Sequence, residues 1–139
     1  MTARDLMTPD PITIAPDASI SDAWDLMSEH DIRHVPVVQD GALVGMLSSR
    51  DLPLSDILRL LSVEGAVALN REMAKPVSKI MSRDVISVVP DARASDLVRL
   101  LLEHKVGAIP VVGASTGKLL GIVSYIDVLR ALQDRLDEE

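Results

Sequence analysis

The chain contains no cysteine and no phenylalanine, and its aromatic residues are one Trp and one Tyr. Without thiols there is no disulfide, no thiolate nucleophile and no cysteine metal site, although compartment does not follow from this. With so few rings, a core must be assembled from Val, Ile, Leu, Ala and Met. No apolar run approaches the ~20 residues that span a bilayer. Asp5, Asp10 and Pro11 interrupt the start, so no signal peptide is read there. The expectation is a soluble, cytoplasmic protein without a membrane partner. Lys and Arg nowhere cluster and the net charge is −7. Nucleic-acid binding leans on a basic face, so a nucleic-acid partner is not expected. A small anion is still compatible, because a pocket needs only a few local donors and a helix N-terminus.

What the chain does have is a repeat. With a shift of 74, Met7 falls on Met81, Pro16-Asp17-Ala18 on Pro90-Asp91-Ala92, Ser21-Asp22 on Ser95-Asp96, and Pro36-Val37-Val38 on Pro110-Val111-Val112. Two residues then enter the second copy. At a shift of 76, Gly45, Ser48 and Asp51 meet Gly121, Ser124 and Asp127. Such self-similarity implies two like half-units about a pseudo-two-fold axis, and a sister for any site. Each half is small enough for its own core to be marginal. The expected organisation is 1–62 as the first repeat, 63–76 as a helical linker and 77–139 as the second repeat.

Each copy opens with a short helical turn (Arg4–Met7, Val77–Met81). A β-branched stretch comes after it, Ile12–Ile14 and Val85–Val89, closed by Pro16 and Pro90. Ser19 with Asp22 starts a helix in capping-box fashion, and Ile20, Ala23, Trp24 and Met27 keep helical spacing. Its sister carries Leu97, Val98, Leu100, Leu101 and Leu102. A hairpin comes next, Val35–Val38 to Leu43–Leu47 around Asp40-Gly41, and Ile109–Val112 to Leu119–Val123. A second helix begins after Ser48–Asp51 and after Ser124–Asp127. Val63–Lys75 reads as helical, with Gly65 interrupting it. The order is β-α-β-β-α, twice, in an α+β (α/β sandwich-like) fold.

This order, the Pro-Val-Val strand and the Gly-x-x-Ser-x-x-Asp ending resemble the cystathionine-β-synthase (CBS) domain, and the tandem resembles a stand-alone Bateman module. The resemblance implies a regulatory sensor, not an enzyme. It implies clefts between the repeats that bind adenosine-type nucleotides: AMP foremost, with ADP, ATP and S-adenosylmethionine as alternatives. It also implies a homodimer built through helices, for which Leu54, Ile57, Leu58, Leu61, Leu129 and Leu132 could supply a face. The alternative is a ligand-free adaptor that binds a protein through those helices.

The chemistry agrees with a nucleotide. In Ser124-Tyr-Ile-Asp127 the carboxylate lies one turn beyond the hydroxyl, where it can accept both hydroxyls of a ribose. Charge-assisted bonds of this kind are worth roughly 1.5–3 kcal/mol each. Ser124 and the free N–H groups of the first turn can meet a phosphate. Ser48 and Asp51 repeat the arrangement. Simple helix capping explains the same residues equally well in one copy; their recurrence in both favours the ligand. By resemblance, the base in the second cleft lies among Val85, Ile86, Ser87, Ala108, Ile109 and Pro110. In the first it lies among Ile12, Thr13, His34, Val35 and Pro36. The resemblance also brings phosphate to basic residues before the other repeat's Pro-Val strand. Arg33 and His34 are thereby assigned to the cleft of Ser124 and Asp127, the expected tighter site, while Arg50 assists Asp51.

Other motifs are weaker. Gly113–Lys118 is one residue short of a phosphate-binding loop and lies between hairpin strands, so it is read as a turn. His30, His34 and His104 are read as structural, with no metal site. Ser, His and Asp occur without a nucleophile elbow, so no catalytic residue is assigned.

Overall fold

The computed structural model of the protein describes residues 1–53 and 62–139. Its elements are α1 (Ala3–Leu6), β1 (Thr8–Pro9), α2 (Ile20–His30), β2 (His34–Gln39), β3 (Ala42–Ser48), α3 (Val63–Met73), α4 (Ala94–His104), β4 (Ala108–Val112), β5 (Leu119–Ser124) and α5 (Tyr125–Asp137). Single 3-10 turns cover Ser49–Asp51 and Val77–Lys79. The hairpin β2–β3 turns at Asp40 and Gly41, both at positive φ (54° and 81°), as a two-residue turn matched to strand twist demands. Gly113–Lys118 is indeed a turn, closed by Gly113 N–H to the Lys118 carbonyl at 2.9 Å. Leu54, Ile57, Leu58 and Leu61 lie outside the described residues.

Two compact units emerge, and they do not coincide with the sequence repeats. One comprises Met1–Pro11, Asp40–Leu43 and Ile86–Glu139; the other comprises Ile12–Gln39 and Val44–Val85. The short opening turn of each copy thus belongs to the unit holding the other copy's strands and helices. The cores show the same exchange. Ala3 packs with Leu97, Leu101, Ile109, Val111 and Val123. Val77 and Met81 pack with Ile14, Ile20, Met27, Val35, Val37, Leu47 and Leu52. In the first unit β1 pairs antiparallel with β5, Thr8 opposite Ile122 and Pro9 opposite Gly121, giving the order β1-β5-β4. In the second unit Ser82 does the same work for β3, exchanging two 2.9 Å backbone bonds with Met46.

The glycines of the two Gly-x-x-Ser motifs make this possible. A Cβ on Gly121 would stand 2.5 Å from Met7 Sδ and 2.9 Å from the Thr8 carbonyl oxygen. On Gly45 it would stand 2.5 Å from Met81 Sδ and 3.0 Å from the Ser82 carbonyl oxygen. Only a residue without Cβ admits the methionine of the incoming segment.

Three expectations need correction. The stretches Ile12–Ile14 and Val85–Val89 are not regular strands, and each makes one parallel bridge, Ile14 with Val37 and Val88 with Val111. The cause is the proline of the neighbouring strand. Ile14 N–H reaches the Pro36 carbonyl (3.1 Å) and Val38 N–H reaches Ile14 (2.9 Å), and Val88 repeats this with Pro110 and Val112. The next rung would need an N–H from Pro36 or Pro110, which proline lacks. Gly65 does not interrupt α3. It sits in the first turn, where its N–H donates to the capping Ser62 Oγ at 2.9 Å. The pairing of Thr8–Pro9 with β5 was not expected at all.

The repeat also exposes an unused cap. Ser19 caps α2 at φ −76°, ψ 156°, with its Oγ accepting from Asp22 N–H at 3.0 Å. Its sister Arg93 holds the same backbone conformation, φ −74°, ψ 145°, without a side-chain cap, although Asp96 stands at the third helical position. Arg93→Ser is therefore expected to complete a capping box and stabilise the protein by about 0.5–1 kcal/mol. A melting temperature that does not rise would count against it.

Candidate functional site

Each unit builds the same turn from its own residues. Where the hairpin ends, Ser48 is the N-cap of the 3-10 turn and Ser124 the N-cap of α5, both in extended conformation. Asp51 Oδ2 accepts from Ser48 N–H at 2.8 Å and from its hydroxyl at 3.3 Å. Asp127 Oδ2 accepts from Ser124 N–H at 2.8 Å and from its hydroxyl at 3.0 Å. Capping is thus real, and it consumes one oxygen of each carboxylate. Among the described residues, Oδ1 of Asp51 and of Asp127 has no hydrogen-bond partner. Both aspartates are half-buried, so an acceptor on a rigid turn stands at the edge of solvent.

A second backbone bond fixes where that turn lies. Ser49 N–H donates to the Arg33 carbonyl at 2.8 Å, and Tyr125 N–H donates to the Gly107 carbonyl at 3.1 Å. The entry to β2, or to β4, is thereby tied to the turn that carries the carboxylate. The parallel bridge at Ile14 sets residues 12–13 alongside 34–36, and the bridge at Val88 sets 86–87 alongside 108–110. The missing rungs leave the Ile12 and Ile86 carbonyls outside the backbone hydrogen bonds made by the described residues. These acceptors were not singled out in the sequence, although the proline two residues before Val38 and Val112 is the signal that frees them.

The expected base-site residues divide by burial. Val35, Pro36, Ile109 and Pro110 are fully buried, and their side chains belong to the cores. Ala108 is also buried. Ile12, His34, Val85 and Ile86 are half-exposed, and Thr13 and Ser87 are exposed. Val85 falls in the unit of the first-copy strands and Ile86 in the other.

The two turns differ in charge and in the helix each one starts. After Ser124 comes α5, thirteen residues long, whose aligned peptide dipoles favour an anion at its start. After Ser48 comes a three-residue 3-10 turn, with Leu52 already extended. Cations, on the other hand, gather at the first turn. His34, partly buried, has its pKa lowered by burial first and then by the Arg50 guanidinium, while Asp51 partly opposes this and Arg33 adds to it. The sister positions of Arg33, His34 and Arg50 are Gly107, Ala108 and Ile126. The sequence expectation paired Arg33 and His34 with Asp127, joining residues of different units. Within their own unit, the charges acting on His34 among the described residues are Arg50, Asp51 and Arg33.

Known proteins share this arrangement of elements. The family model for the CBS domain matches residues 3–52 and 77–134. A CBS domain-containing protein of Bacillus subtilis, YhcV, is 32% identical over 127 residues, covering 91% of this chain and 82% of its own. The inosine-5'-monophosphate dehydrogenase of Korarchaeum cryptofilum is 31% identical over 126 residues, 91% of this chain but 23% of that enzyme. The solved structure of CBSX2 in complex with AMP matches with a TM-score of 0.78 at 33% identity, covering 96% of both chains. The CBS domain pair of MJ0100, in complex with 5-methylthioadenosine and S-adenosyl-L-methionine, gives 0.77 at 26% identity, covering 97% of this chain and 98% of that one.

Proposed function

Since this chain belongs to the CBS-domain family, carrying the domain twice, we propose that it is a regulatory module that binds an adenosine-type nucleotide, AMP foremost. The observation that carries this is the duplicated turn in which an aspartate caps with Oδ2 and keeps Oδ1 free among the described residues. A ribose offers two adjacent hydroxyl donors to such a carboxylate, and charge-assisted bonds are the stronger class. The free Ile12 or Ile86 carbonyl suits the exocyclic amine of adenine, with Thr13 or Ser87 beside it. Phosphate would meet Ser48 or Ser124 and the first N–H groups of the turn. The complexes of CBSX2 and MJ0100 with adenosine-containing ligands support the same class.

Thermal melting against AMP, ADP, ATP, S-adenosylmethionine and NAD tests the reading. A ligand present at about 100 times its dissociation constant stabilises the native state by ~2.7 kcal/mol. A rise in melting temperature specific to adenosine-type ligands is expected, and no response to any of them would overturn the proposal.

One observation favours a second reading, an adaptor acting through a helix face. On α5, Tyr125, Leu129, Leu132 and Leu136 recur at helical spacing and are each about half exposed, at 45%, 54%, 50% and 55%. Such a stripe is where a homodimer or a protein partner would dock. No nucleotide response together with a concentration-dependent mass in solution would favour this reading over the first.

A further inference from the structure

The internal repeat supplies a control for each site, and the charge beside the first turn does not repeat at the second. Three cationic or titratable side chains, Arg33, His34 and Arg50, attend the Ser48–Asp51 turn, and the sister turn has Gly107, Ala108 and Ile126 in their places. The cluster is held by backbone. Arg33 accepts the 2.8 Å bond from Ser49, His34 opens β2, and Arg50 and Asp51 lie on the 3-10 turn. The neighbouring segment Ile12–Ile14 carries no charge, and neither does Ser48 at the end of β3. Among the described residues, the charged groups that act on His34 are the Arg50 and Arg33 guanidinium groups and the Asp51 carboxylate.

We propose that His34 makes phosphate binding at the Ser48–Asp51 turn proton-linked: a phosphorylated ligand and a proton on the imidazole bind together, whereas the Ser124–Asp127 turn binds without a proton. This deepens the nucleotide reading, on which it rests, by naming how one of its two sites is regulated. In the unliganded protein, burial and two arginines oppose a third positive charge, and the pKa of His34 is held below its ordinary value. An arriving phosphate brings the missing negative charge into the cluster and favours the imidazolium, so the pKa rises. The sign comes from linkage. Affinity for a phosphorylated ligand grows as pH falls from the ligand-bound pKa of His34 to its ligand-free pKa, and His34 adds no slope outside that window. Histidine is the side chain whose ordinary pKa, about 6.5, makes this a physiological response.

The test is an NMR titration of the imidazole resonances with AMP, inorganic phosphate and adenosine, with His30 and His104 as internal references. The expected result is a His34 pKa that rises by about one unit with AMP and with phosphate and does not move with adenosine. If phosphate moves His34 while neither AMP nor adenosine binds, the nucleotide reading fails and the proton linkage stands. If AMP binds and perturbs only residues around Ser124 and Asp127, or if no phosphate-bearing probe moves His34, the proposal is overturned. A second measurement is independent of assignment. The ratio of AMP affinities, wild type over His34→Gln, should grow about three- to tenfold from pH 8 to pH 6. The ionisation of AMP itself is common to both proteins and cancels. A flat ratio would also overturn the proposal.

Discussion

A double variant, Asp51→Asn with Asp127→Asn, binds AMP about 10- to 100-fold more weakly than the parent in calorimetry. That loss corresponds to replacing charge-assisted hydrogen bonds by neutral ones at a group worth roughly 1.5–3 kcal/mol. Asparagine is chosen because Oδ2 of each aspartate already caps a turn, at 2.8 Å from the serine N–H. An amide oxygen can go on accepting that bond, so the fold is retained and the loss is one of recognition. Asp127→Ala should separate the two roles from the other side: it loses the ligand and also the reciprocal half of the α5 capping box, while Ser124 Oγ can still accept from the backbone N–H of residue 127. The single Asn variants then apportion binding between the turns. The Arg33, His34 and Arg50 cluster predicts the larger loss for AMP at Asp51. 2′-Deoxy-AMP provides the ligand-side control. If the parent binds it as well as AMP, or if the double Asn variant binds AMP like the parent, the carboxylates do not hold a ribose.

Gly121→Ala is expected to destabilise the protein by about 1–3 kcal/mol, the range for forcing atoms into a packed site. In a chain of this size that lowers the melting temperature by roughly 4–12 °C. The added Cβ meets Met7 Sδ at 2.5 Å, Met7 Cγ at 2.9 Å and the Thr8 carbonyl oxygen at 2.9 Å. The methionine can swing away, but the backbone oxygen can do so only by weakening the pairing of β1 with β5. Met7→Ala in the Gly121→Ala background should therefore restore part of the loss and not all of it. Gly45→Ala meets Met81 and the Ser82 carbonyl in the same way and should behave alike. A Gly121→Ala protein that melts with the parent would show that β1 does not dock on β5 as described.

Much of this was legible from residue spacing. Ser19 with Asp22, the apolar period of α2, Asp40-Gly41 and the second Gly-x-x-Ser-x-x-Asp motif are local signals, and each formed the element it announced, whereas the first such motif opens a three-residue 3-10 turn in place of the expected helix. The strand reading failed where it needed the identity of a neighbour. Val85–Val89 has strong strand composition, yet it makes a single bridge because its partner strand holds Pro110. Pro36 limits Ile12–Ile14 for the same reason.

The sequence by itself determined that there are two copies of one element order, that each core is aliphatic, and that each hairpin ends in a serine-aspartate turn. Those properties depend on contacts three or four residues apart, or on composition, and such information is carried by the chain locally. Tertiary structure alone decided that each opening segment packs with the other copy's strands and that a proline opens a carbonyl in its neighbour. These depend on which distant residues become neighbours, and no local pattern encodes that choice.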